Sequence, residues 1–270
     1  MILGEIYISP LSSLTFDKII HPFDGCVSYC QKFVNGDTDM KLRFTSNVNL
    51  EFYYQVSPVV KTNLGYFSFG QIQSSQNVDG LWVYSTSIGL PDEASYAPLG
   101  IYQFDLQVKI GTQQITFLRT YFELISQQEA DDRTILLEAT NVIDDYFVSF
   151  SEDEICKWRI EGGLLQSEFT SQLIQNSFRD QRIRSHQLSQ KPYTTKILTI
   201  GDTLGVPIWA GEKLNHFLSL TDVFISYKGE DRVRIVRVDS EVPALTQISD
   251  YYPLYVFKCR VEEQIEPNIL

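Results

Sequence analysis

Few residues in this chain could do chemistry. Its three histidines, His21, His186 and His216, are scattered over 270 residues. None stands in H-E-x-x-H or near a serine or cysteine in a G-x-S-x-G elbow. His21 precedes Cys26 and Cys30, and three potential zinc ligands in so short a stretch raise the question of a metal. A structural zinc site needs a fourth ligand and usually a C-x2-C knuckle, and C-x3-C offers neither. Gly201-Asp-Thr-Leu-Gly205 lies between an expected strand and an expected helix, where a phosphate loop would lie. It lacks the G-K-[ST] ending and the G-x-G-x-x-G spacing, so it reads as a turn. The acid pairs Asp131-Asp132 and Asp144-Asp145, and the run Glu152-Asp153-Glu154, cannot flank a sugar as a hydrolytic pair, because adjacent residues of a strand face opposite ways. No EF-hand pattern is present. The residues therefore predict no enzyme activity, no cofactor and no metal.

Charge narrows the partners. With 22 basic and 34 acidic residues the net charge is −12, which repels phosphate backbones and anionic lipid. Nucleic acid is not an expected partner. Nor is membrane insertion, since no run approaches the ~18 apolar residues of a spanning helix. Met1-Ile2-Leu3-Gly4-Glu5 lacks the basic start of a signal peptide. One dense basic cluster exists, Arg179, Arg182 and Arg184, and it is the candidate contact between subunits. Its candidate partners are nine acids between residues 129 and 154, where Arg133 is the single base. Four cysteines are too few for a disulfide scaffold. Cys156 and Cys259 read as reduced core residues.

The elements that would carry these residues are mainly β. Residues 101–124 alternate apolar and polar side chains around a turn at Gly111-Thr112, which predicts a hairpin. Short strands at 41–46, 50–56, 66–70 and 81–85 complete an expected immunoglobulin-like β-sandwich over 1–128, with Tyr102 as a core or corner tyrosine. A second, β-rich assembly domain is expected over 129–270. Its strands are placed at 136–140, 146–151, 194–201 and 251–261, with a hairpin over 223–237. A helix expected over 207–218 puts Ala210, Leu214, Phe217 and Leu218 on its buried face and Glu212, Lys213 and Asn215 outward. Leu165, Phe169 and Leu173 fit a second helical stripe, though Gly162-Gly163 and many polar residues weaken it. Residues 166–190 read as a long polar connection, a length that compact domains keep for contacts. Tyr53, Tyr54, Tyr66, Phe67, Phe69, Trp82 and Tyr84 could stack on sugars if exposed, which makes a glycan- or host-surface-binding adhesin the alternative function.

Several segments resemble a family of tail structural proteins from Bacteroidales phages and prophages. Val27-Ser-Tyr-Cys-Gln-Lys-Phe is similar to its "yyqkW" segment, and residues 137–150 to its "N…ND-Y-D-V-x-F" segment. Phe178-Arg-Asp-Gln, Pro192-Tyr-Thr-Thr-Lys-Ile-Leu-Thr-Ile-Gly, Gly205-Val-Pro-Ile-Trp and Lys213-Leu-Asn follow its later landmarks in the same order, and together they span most of the chain. The resemblance implies a distal tail or baseplate-like virion component, assembled in the bacterial cytoplasm. Its partners would be copies of itself in a symmetric ring and other tail proteins.

Overall fold

The computed structural model describes residues 5–16, 31–34, 40–59, 68–76, 80–88, 98–140, 155–179, 181, 185–201, 205–238, 244–247 and 254–264. The described residues are mainly β, with two sheets and two short helices. Eight strands build the first sheet: β1 (Ile6–Ile8), β2 (Gln31–Val34), β3 (Met40–Ser46), β4 (Phe52–Pro58), β5 (Ser68–Gln76), β6 (Trp82–Ile88), β7 (Gly100–Ile110) and β8 (Gln113–Ile125). Their order is β1-β3-β6-β5-β4-β7-β8-β2, antiparallel except for the parallel pair β2–β8. The hairpin expected over 101–124 is β7–β8.

This sheet folds over on itself at β5. The first half of β5 pairs with β4 and the second half with β6. Phe44 of β3 and Phe52 of β4 lie with ring centroids 4.9 Å apart. In a flat sheet two intervening strands would hold them about 14 Å apart. The two halves therefore face each other and bury Phe44, Phe52, Tyr84, Tyr102, Phe104 and Phe122 between them. Tyr84 stacks on Phe44, and its hydroxyl accepts from Leu50 N (2.8 Å) and meets Leu50 O (2.9 Å), fixing the turn before β4. The Tyr102 hydroxyl donates to Pro98 O at 2.8 Å, four residues upstream.

The second sheet follows α1 (Gln127–Arg133), a helix that Ser126 caps by accepting from Glu129 N. Its strands are β9 (Thr134–Thr140), β10 (Ile155–Arg179), β11 (Ser185–Ile200), then, after α2 (Ile208–Phe217), β12 (Asp222–Tyr227), β13 (Val233–Arg237), β14 (Ala244–Gln247) and β15 (Tyr255–Gln264). The pairings β10–β9–β12–β13–β15–β11–β10 return to their start, so six antiparallel strands close a barrel. The side chains facing inward include Leu137, Trp158, Ile160, Leu198, Ile225 and Val261. Ala210, Leu214 and Phe217 of α2 join the same core. Six strands leave an interior wide enough for side chains only, and α2 packs its apolar face against that core. Gly205 N donates to Gly201 O at 2.9 Å in the turn before α2, which is the part played by the glycine pair.

Three expectations need correction. Residues 164–179 form neither helix nor loop: they are the far half of β10, paired with β11. His186, read as a loop residue, lies in β11 opposite Phe178. Lys213, placed outward by the helical pattern, is buried at 3% exposure. The strand expected at 146–151, the residues His21, Cys26 and Cys30, and the acids at 144–145 and 152–154 lie outside the described residues.

Candidate subunit interface

The two longest described strands, β10 and β11, continue past the strands that pair with them in the barrel. β10 pairs with β9 only as far as Glu161, and β11 pairs with β15 only from Thr195 onward. Beyond those points the two strands continue together from Ser171 opposite Thr194 to Arg179 opposite Ser185. At ~3.3 Å per residue this two-stranded ribbon reaches about 30 Å past the barrel. Among the described pairings, its strands bond only to each other there. Gly162 sits where β10 exchanges one partner for the other. A Cβ at this position would lie 2.5 Å from Thr199 O, so the close approach that launches the ribbon demands glycine.

The ribbon is irregular and asymmetric. Register shifts fall between Leu165 and Thr170 and between Asn176 and Ser177, and bulges of this kind bend and twist a strand. Pro192 stands in β11 opposite Leu173. Proline has no N–H to give and is tolerated in sheets at edges, so this stretch of β11 is an edge by composition as well as by position. Of the three candidate arginines, Arg179 ends β10 opposite Ser185 at the far end of the ribbon. Arg182 and Arg184 lie outside the described residues, and Gln181, between Arg179 and Arg182, is exposed. Two of the candidate acids already serve their own chain. Glu138 is held between Lys157 (3.2 Å) and Arg232 (3.6 Å) on the outer wall of the barrel, and Glu129 meets Arg133 at 3.5 Å.

The base of the ribbon is tied to the first sheet. Lys32 of β2 bridges to Glu123 of β8 and to Glu161 of β10, the latter at 3.6 Å. Residues 9–16 run between the two cores, with Leu11 packed in the barrel core and Leu14 in that of the first sheet. Lys213 locks that segment in place. Its ammonium donates to Ser12 O (2.5 Å), Ser13 O (3.2 Å) and Thr15 Oγ1 (3.2 Å), and lies 5.3 Å from the centre of the Trp158 ring. Burial pushes this lysine down to about 7, opposed by the neighbouring Cys156. Nothing in the sequence marks this contact, because its acceptors are two backbone carbonyls and a threonine hydroxyl about 200 residues away.

A cavity of about 200 Å³ opens between α1 and the turn after β12. Arg159, Thr134, Asp131, Lys228 and Glu230 line it. Arg159 is buried, donates to Thr134 Oγ1 at 3.1 Å, and is held down to about 10 by its burial. Among the described residues, no group of three or more His, Cys, Asp or Glu is arranged to hold a metal ion. No helix among the described residues is long and apolar enough to cross a membrane. The chain matches no protein-family model, no curated protein and no solved structure.

Proposed function

We propose that this protein is a non-enzymatic structural component of a bacteriophage tail, at the tip, baseplate or an adaptor ring. In this reading copies of the chain form a closed symmetric ring, and the β10–β11 ribbon reaches from each copy to the next. The ribbon is the observation that carries it. A two-stranded hairpin is marginally stable alone in water, and its open edges are templates for pairing with another chain. The barrel at its root has closed on itself, which leaves the ribbon, among the described strands, as the longest element with open edges. A head-to-tail contact of this kind makes a ring when the rotation closes, as a part built around a tail axis requires.

The first sheet supports the same reading. Its folded-over halves and the Tyr102 bond to Pro98 O are features of an immunoglobulin-like sandwich, a domain suited to display beside a ring. The resemblance of the ordered segments from 27 to 215 to phage tail proteins supplies the biological setting, a virion assembled in the bacterial cytoplasm. Antibody against the chain, applied to purified phage particles that encode it, should label the tail in electron micrographs. Label confined to the capsid, or particles free of the protein, would overturn the proposal.

A further inference from the structure

The corner strand β5 carries a second surface, unrelated to the ribbon. Phe69, Gln71, Gln73 and Ser75 alternate along it and are all exposed, Phe69 at 57%. From Phe69 to Ser75 the row spans about 20 Å. On β4, Tyr53 lies opposite Gln71, and its ring stacks on Phe69 with centroids 5.7 Å apart and planes within 10°. β5 contains no charged residue. Its two partner strands, β4 and β6, contain none either. Beyond β4, Lys109 of β7 meets Glu51 at 2.7 Å, and Arg119 of β8 grips Asp105 of β7 through two bonds of 2.7 and 3.1 Å. The Gln107 amide donates to Gln55 at 3.0 Å.

The row is also held rigid from beneath. Gly70 lets the Tyr54 ring lie directly under the strand, where a Cβ would come within 2.7 Å of Tyr54 Cε1. Tyr54 in turn stacks on Phe104 of the core at 6.1 Å. An aromatic pair fixed on such a base needs little ordering to receive a ligand.

We infer that this row is a binding surface for a neutral oligosaccharide. One face of a pyranose ring is a patch of C–H bonds that lies flat on an aromatic ring. Its rim is hydroxyls, each both donor and acceptor, and the free primary amides of Gln71 and Gln73 and the Ser75 hydroxyl answer in kind. A charged ligand would find no opposite charge on β5, and an anionic one would meet the −12 chain. A protein partner would ask for a contiguous apolar centre, whereas the row has one apolar side chain, Phe69, at its end.

The test is affinity electrophoresis of the full chain in gels containing mannan, xylan, β-1,3-glucan or dextran, with chondroitin sulfate as the anionic counterpart. Retardation is expected in at least one neutral gel and not with chondroitin sulfate. Phe69→Ala, and Gln71→Ala with Gln73→Ala, should each weaken the retardation at least tenfold, while Ile115→Ala, at an exposed apolar position on β8, should not. Unchanged thermal melts would show that the variants fold. No retardation in any neutral gel overturns the inference, as does a Phe69→Ala protein retarded like the parent. So does a Phe69→Ala protein whose oligomer mass changes while its retardation does not, since the row would then be a contact between copies.

Discussion

Lys213 holds the two halves of the molecule together at the cost of burying an ammonium. Its three acceptors, two of them backbone carbonyls, belong to residues 12–15. Burial lowers the folded-state value from 10.5 to about 7. Below pH 7 both folded and unfolded chains carry the proton, and the folded state bears the full desolvation cost. Between 7 and 10.5 the unfolded chain keeps a proton that the folded chain has released, so stability rises with pH across that window, by up to ~1.4 kcal/mol per pH unit. A neutral amine can still donate two of the three bonds. Urea unfolding at pH 6.5 and pH 9.5 should show the rise in the parent and a much smaller one in Lys213→Met. That variant should also lose about 1–3 kcal/mol at pH 9.5, from carbonyls left without donors. Equal pH dependence in the two proteins would refute the assignment. Helical periodicity pointed Lys213 outward, and no local pattern could have corrected it, since what surrounds it comes from the start of the chain.

At the scale of elements, the sequence was most legible where one face meets water and the other a core. β7, β8, β12 and β13 alternate visibly, and α2 shows its apolar stripe at Ala210, Leu214 and Phe217. The β10–β11 ribbon was not legible as strands. Its segment is rich in Gln, Ser and Thr, and a ribbon with no core of its own need not alternate apolar with polar residues. The short strands β1, β2 and β14 were missed as well, being three or four residues long and defined by their neighbours. The arginine cluster belongs to this scale because Arg179 closes the ribbon. Replacing Arg179, Arg182 and Arg184 together with glutamate should set like charges against the acidic stretch of the next copy and block assembly, while circular dichroism and melting temperature stay unchanged. Rings of normal size from this variant, seen by negative stain, would remove the arginines from the interface and leave the ribbon backbone as the contact.

For the molecule as a whole, the division expected near residue 128 falls within α1, and the segment 9–16 crosses it in space. Leu11 belongs to the barrel core and Leu14 to that of the first sheet. Two cores stitched by one segment, by Lys213 and by the Lys32–Glu161 contact should unfold together. Leu11→Ala and Leu14→Ala should each lower a single calorimetric transition, by about 2–4 kcal/mol. Two resolved transitions, with each variant moving only one, would contradict this. For assembly, the decisive measurement is the solution mass of two proteins by light scattering. One is the full chain; the other has residues 172–193 excised and the strands rejoined by an Asn-Gly turn, which suits a two-residue hairpin. The full chain should have the mass of a closed ring, visible as such by negative stain, and the shortened protein should be a folded monomer. A monomeric full chain, or a shortened protein that forms rings of the same subunit number, would contradict assembly through the ribbon.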